Sequence, residues 1–262
     1  MGFLHEGHLS LVRRARLDND KVGVSIFVNP TQFNNASDLG NYPSNIDRDL
    51  KLLQKEGVDL VWTPTPGIVY PDGYRTYVEV KGLTDRLEGG SRPGHFRGVT
   101  TVVSKLLNVF EPQRTYFGQK DAQQALVIKR MVQDLNFNLD VVVCPTVREP
   151  DGLAMSSRNA NLTPENRKNA VYLHRALMSA QGLFESGERR AGTIRKKMMQ
   201  ILESVKDARV DYVSVAHPEA LEELDRIETE ALISLAVFLG EVRLIDNIKI
   251  AAKNLTNEDL AE

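Results

Sequence analysis

The sequence has 262 residues, 42% hydrophobic and 26% charged, with 33 Lys and Arg against 35 Asp and Glu and a formal net charge of −2. That length and apolar content suit one large or two modest domains with a real core, and the balance of charge leaves no overall positive field to draw in a nucleic acid. Neither a membrane span nor a secretion signal is expected, since the longest apolar run, Ala231–Leu239, is about half the roughly 20 residues a bilayer demands, and the single Cys144 excludes a disulfide framework and a multi-cysteine zinc site.

Along the chain, His5–Glu6–Gly7–His8 comes first, followed at once by the helical pattern Leu9, Leu11, Val12, Ala15. A helix N-terminus offers unpaired N–H groups and a positive dipole end that favour phosphate, two imidazoles three residues apart share a face, and Gly7 lets a ring or backbone approach. The same pair could chelate a metal, but the spacing is not His-Glu-x-x-His and no third ligand is evident. The apolar run Val22–Val28 reads as a strand that stops at Asn29–Pro30, followed by Thr31, Gln32 and Phe33. Ligands of parallel α/β sheets bind at such carboxyl ends, and the Gln32 amide can hold a hydroxyl and a carboxylate at once; the alternative is an ordinary strand-ending turn.

A helix over Ile46–Glu56 and a strand over Val58–Trp62 lead to Ser91–Gly98, a cation-rich, turn-forming stretch in which His95, Arg92 and Arg97 could meet phosphate or carboxylate, with solvated loop charges as the alternative. A helix is expected over Val99–Phe110 and a strand over Arg114–Phe117. Gly118, Gln119, Lys120 and Asp121 then form a turn into a helix over Ala122–Asn136. There Gly118 permits close backbone approach, Lys120 supplies a compact charge near phosphates, Asp121 caps the helix or holds a ribose hydroxyl, and at most one of Gln123 and Gln124 faces the site. The strand Leu139–Cys144 completes a βα alternation whose continuous apolar strands predict a doubly wound parallel sheet covered on both faces, with Cys144 as a buried strand residue.

After about Thr146 the character changes. The segment Arg148–Asn159 contains Met155–Ser156–Ser157–Arg158, hydroxyls beside a guanidinium that suit a polyphosphate clamp, with a polar, helix-capping linker as the alternative. Thr163–Pro164–Glu165 starts helices running to about Lys206, and Val210–Ala216, Ala231–Leu239 and Glu241–Ile250 predict a small antiparallel sheet, hence a second, α+β domain. The polar tail Asn254–Glu262 is expected to fray.

Taken in order, HEGH, SIFVNPTQF, SRPGHFRG, FGQKDAQQ, DGLAMSSRN and the closing LGEVRLIDN resemble the motif series of the pantothenate synthetases, within the HxGH nucleotidyltransferase superfamily. The resemblance spans nearly the whole chain. It implies a Rossmann-like ATP- and pantoate-binding domain over 1–146, a C-terminal lid and dimer-associated α+β domain over 147–262, and a cytoplasmic homodimer. It also implies ATP-dependent condensation of pantoate with β-alanine through a pantoyl adenylate, releasing AMP and pyrophosphate. Residue by residue, it places ATP against Met1, Gly2, Phe3, Leu4, His5, Glu6, Gly7 and His8, against Gly118, Gln119, Lys120 and Asp121, and against Val147, Met155, Ser156, Ser157 and Arg158. Pantoate falls to Gln32 and Gln124, with Asn29, His95, Arg92 and Tyr42 lining the site. His8 is the expected active-site acid or phosphate-stabilising group, supported by His5 and Lys120. Mg²⁺ is expected to arrive on the ATP phosphates, without a dedicated protein metal cage.

In the family a strand ending in Pro-Thr-Met-Gly precedes HxGH, whereas Met1–Gly2 opens this sequence. A misassigned start or a truncated product is therefore expected, with the helix Leu9–Arg16 bared on its inner side. Two further readings follow: another HxGH nucleotidyltransferase, which would leave the nucleotide joined to its product, and an inactive nucleotide-binding protein.

Overall fold

The computed structural model describes residues 2–33, 39–40 and 42–252. Met1 and the tail 254–262, for which expectations were stated, lie outside them. The chain divides into two compact units, Met1–Arg167 and Lys168–Glu262. The first runs past the expected boundary at 146 because the segment after the last parallel strand folds back on itself: Arg148 bridges Ala154, the Met155 N–H donates to the Val147 carbonyl at 3.0 Å, and Ser157 Oγ donates to the Phe3 carbonyl at 3.3 Å.

Four strands of the first unit pair in parallel, β1 (Gly23–Ser25) with β2 (Leu60–Trp62) and β3 (Arg114–Gly118) with β4 (Asp140–Cys144). Among the described residues these pair as two two-stranded parallel sheets. β1 is shorter than Val22–Val28. Ile26 makes one more bond, to the Trp62 carbonyl at 2.9 Å, but β2 then runs into Thr63–Pro64, and a proline has no N–H for a ladder.

Helices α1 (Glu6–Asp18), α2 (Ile46–Lys55), α3 (His95–Phe110) and α4 (Ala122–Asp134) accompany these strands. Side chains alternate across a strand, so Tyr116 of β3 packs with Leu4, Leu9, Val12, Val24 and Leu53, while its neighbour Phe117 packs with Phe96, Val99, Val127, Ile128 and Met131. Core thus lies on both faces of β3, as expected of a strand covered by helices on both sides. The inner side of α1 is covered, contrary to expectation: Leu9, Val12 and Ala15 are all buried. Cys144 is buried in β4.

In the second unit, α5 (Val171–Glu185) and α6 (Ala191–Glu203) accompany an antiparallel sheet ordered β5 (Ala208–Ala216), β6 (Glu230–Leu239), β7 (Val242–Ala251). Nearly every residue of β6 is buried. Leu239 pairs with Val242 across a tight turn in which Gly240 takes φ 58°, the left-handed backbone a two-residue hairpin requires. No helix among the described residues is long and apolar enough to cross a membrane.

Candidate active site

The HEGH segment builds its own helix start. His5 is the N-cap of α1; its Nδ1 accepts from the Gly7 N–H at 3.1 Å, while His8 Nδ1 accepts from the His5 N–H at 3.3 Å. The two rings lie 4.0 Å apart, centroid to centroid. Because each Nδ1 accepts, the neutral rings carry their proton on Nε2 and present it as a donor. Burial, reinforced by the Lys120 charge, lowers His5 to about 4; burial, then His5 and Lys120, lower His8 to about 2. Both are therefore uncharged at neutral pH. Glu6 instead points to solvent and pairs with Arg13, beside Glu56.

What holds this segment was not visible in its motif. The buried Asp49 of α2 accepts from the Leu4 N–H at 2.8 Å, and Arg48 donates to the Leu4 carbonyl at 2.9 Å while its guanidinium lies over the Phe3 ring. Phe3 takes φ 50°, a conformation that costs a non-glycine residue about 1–3 kcal/mol and persists only where its neighbours enforce it. In sequence, Arg48 and Asp49 look like the solvated charges of an amphipathic helix.

Beyond β1, Asn29 caps the turn Pro30–Gln32 and is almost wholly buried. Its Nδ2 donates to the Gly98 carbonyl at 3.1 Å and to Gln32 Oε1 at 3.2 Å. The Gln32 carbonyl in turn meets His95 Nδ1 at 2.8 Å and accepts from Arg92 at 3.1 Å. Asn29, Gln32, Arg92 and His95 thus form one cluster. The expected loop around His95 is in fact the helical turn Glu88–Ser91 followed by the first turn of α3, which starts four residues earlier than its apolar pattern because Gly94, at φ 82°, serves as N-cap. Burial, then the Arg92 charge, holds His95 at about 4. Arg97 stacks on Tyr77 at 4.0 Å.

At the carboxyl ends of β3 and β4, Gly118 lies opposite Cys144, and the turn Gln119–Asp121 places Lys120 Nζ 3.8 Å from Asp121. Asp121 makes no capping bond to α4. The adjacent glutamines separate as expected of a helix: Gln123 is buried and bonded to the backbone of Leu83, Arg86 and Glu88, whereas Gln124 is half-buried and its side chain makes no hydrogen bond among the described residues. The 147–158 segment closes onto HEGH. Met155 Cβ lies 3.7 Å from where a Gly7 side chain would begin, Ser157 is committed to the Phe3 carbonyl, and Arg158 lies over Tyr42, which meets Phe33 edge-on. Ser156 Oγ accepts from the Arg158 N–H at 3.2 Å, which leaves its own proton for donation.

A family model described as pantoate-beta-alanine ligase matches residues 1–249. The pantothenate synthetase of Acetivibrio thermocellus is 55% identical over 248 residues, 95% of this chain and 88% of its own length. The chain belongs to the pantoate-beta-alanine ligase family. The pantothenate synthetase structure from Thermus thermophilus matches with a TM-score of 0.93 at 47% identity, covering 96% of this chain and 91% of that one. The Francisella tularensis pantoate-beta-alanine ligase, described as complexed with beta-gamma ATP and beta-alanine, matches with a TM-score of 0.77 at 38% identity, covering 95% and 86%. The Rossmann-like α/β architecture with its small α+β unit is thus that of the ligase family.

Among the residues expected of such a ligase, HEGH, Lys120 and the 155–158 segment share one neighbourhood, since the Lys120 charge acts on His5 and His8 and the backbone contacts above join the rest. Tyr42, under Arg158 and edge-on to Phe33, ties the turn carrying Gln32 to the same region. Among the described residues no hydrogen bond joins Gln124 to Gln32, and Glu6 pairs with Arg13 towards solvent.

Proposed function

We propose that this site carries out ATP-dependent ligation of pantoate to β-alanine in two steps. In the first, a pantoate carboxylate oxygen attacks the α-phosphorus of ATP, forming a pantoyl adenylate and releasing pyrophosphate. In the second, the neutral amine of β-alanine attacks the acyl carbon, the C–O bond to phosphate breaks, AMP leaves, and the amine gives up a proton. The observation that carries the reading is the pair of uncharged histidines at the start of α1, whose Nε2–H groups offer donors without a charge to be desolvated.

In this reading His8 stabilises a phosphate oxygen by donating a hydrogen bond, which suits a ring held at about 2 better than protonation from an imidazolium does. Lys120, Arg158 and the Ser156 hydroxyl offset charge building on the departing pyrophosphate, while Ser157 and Met155 shape the segment, and Gly118, Gln119 and Val147 bring backbone close to the nucleotide. Gln32 and Gln124 hold pantoate, with Asn29, Arg92, His95 and Tyr42 around them. The catalytic work is positioning of two anions, and no side-chain nucleophile takes part.

Mg²⁺ accompanies ATP. Phosphate oxygens and water are hard oxygen ligands sufficient to hold it. The proposed state is a cytoplasmic homodimer, with residues beyond the nucleotide-binding region acting as a lid. Sedimentation of the purified protein tests the dimer.

The test of the chemistry uses pantoate labelled with ¹⁸O in its carboxylate. Adenylation followed by acyl transfer delivers one labelled oxygen to free AMP. Unlabelled AMP, or nucleotide retained on the product, contradicts the proposal.

A further inference from the structure

Tyr70 lies outside every motif, at the end of the helical turn Pro66–Val69. Its hydroxyl donates to Asn29 Oδ1 at 2.8 Å and lies 3.1 Å from Thr31 Oγ1. Asn29 Oδ1 also accepts from the Thr31 hydroxyl at 3.0 Å and, more weakly, from the Thr31 N–H at 3.4 Å. The orientation of this amide is not free. A backbone N–H can only donate and the Gly98 carbonyl can only accept, so Oδ1 must face Thr31 and Nδ2 must face Gly98. The second Nδ2 proton goes to Gln32 Oε1. The Gln32 amide is thereby oriented in turn: its oxygen is engaged by Asn29, which leaves its NH₂ protons as donors.

We infer that Tyr70 is a positioning residue for pantoate, acting through Asn29 to hold the Gln32 amide with its N–H donors presented to carboxylate or hydroxyl oxygens of that substrate. The inference rests on the assignment of Gln32 to pantoate made above. Of the donors to Asn29 Oδ1, the Tyr70 hydroxyl is the closest and the only one from outside the Pro30–Gln32 turn among the described residues. Without it the Asn29 amide is held on its oxygen side by its own turn alone. The ring has a separate structural part, packing near Phe27 and Tyr74, and phenylalanine keeps that part.

The experiment is a double-mutant cycle of Tyr70→Phe and Gln32→Ala in the full chain, with steady-state constants for pantoate and ATP measured separately. Tyr70→Phe should raise the pantoate KM about three- to tenfold, the scale of one hydrogen bond, and leave the ATP KM and Tm near the parent values. In the Gln32→Ala background, the same change should have no further effect on pantoate. Thr31→Val, which removes another donor to Asn29 together with the 3.1 Å contact to the Tyr70 hydroxyl, should produce the same pattern. An unchanged pantoate KM in Tyr70→Phe overturns the inference, as does an effect that persists undiminished in Gln32→Ala or falls equally on ATP. If Gln32→Ala itself leaves the pantoate KM unchanged, the assignment of Gln32 to pantoate fails, and the inference with it.

Discussion

Gly98, in the first turns of α3, packs directly against the backbone of the turn carrying Gln32. A Cβ added there would lie 2.5 Å from the Thr31 carbonyl oxygen, 2.7 Å from its carbon and 2.8 Å from the Gln32 nitrogen, all backbone atoms with no rotamer to escape into. Ordinary contact requires the helix and turn to separate by roughly 0.9 Å. The 3.1 Å bond from Asn29 to the Gly98 carbonyl would then stretch beyond hydrogen-bonding range. Overpacking of this kind costs about 1–3 kcal/mol, and each kcal/mol lowers Tm by about 2–4 °C in a protein of this size. Gly98→Ala should therefore lower Tm by several degrees and raise the pantoate KM. Gly182→Ala is the control: nothing lies within 4 Å of its added Cβ on α5, so stability should hold or rise. Thermal unfolding and steady-state kinetics read both variants. A Gly98→Ala protein with parental Tm and pantoate KM would refute the argument from close approach.

Lys120→Ala should lower kcat by about a hundredfold or more, the scale of losing one charge-stabilising group in an active site, with Tm little changed; a kcat within threefold of the parent contradicts its role. Asp49→Ala leaves the Leu4 N–H without its acceptor, so denaturant unfolding should show a loss of about 1–3 kcal/mol and the ATP KM should rise, whereas Asp49→Asn, which retains an acceptor, should lose less. The folded-state pKa values of His5, His8 and His95, about 4, 2 and 4, lie below the ordinary 6.5, so the unfolded chain binds protons that the native one refuses. Stability should be full above pH 6.5 and decline as pH falls towards 4, before most carboxylates titrate; an unfolding midpoint flat from pH 6.5 to 4.5 contradicts this.

Apolar periodicity sufficed for most elements, including the helices of the second unit and its antiparallel sheet, because burial against a neighbouring layer imposes the 3.6- and 2-residue repeats. The ordered motifs likewise marked the carboxyl ends of β1, β3 and β4. Boundaries were less legible: β1 ends early because its partner meets Pro64, and α3 begins at His95 because Gly94 can adopt a backbone that apolar spacing does not encode. Residues that act through others were invisible. Arg48 and Asp49 lie far in sequence from the Leu4 backbone they hold, and Tyr70 is similarly remote from Asn29, so no short motif could join them. The Gln123 and Gln124 pair shows the opposite case. Helical geometry alone required them to diverge, and Gln123 is the one taken by the interior.

The most direct test of the central claim is exchange of labelled pyrophosphate into ATP by the purified, folded protein with β-alanine absent. Exchange requires reversible adenylation, so label should enter ATP when pantoate is present and should not when it is omitted. Absence of pantoate-dependent exchange from a protein that binds ATP, or exchange that proceeds equally without pantoate, would contradict the assignment of pantoate activation to this site.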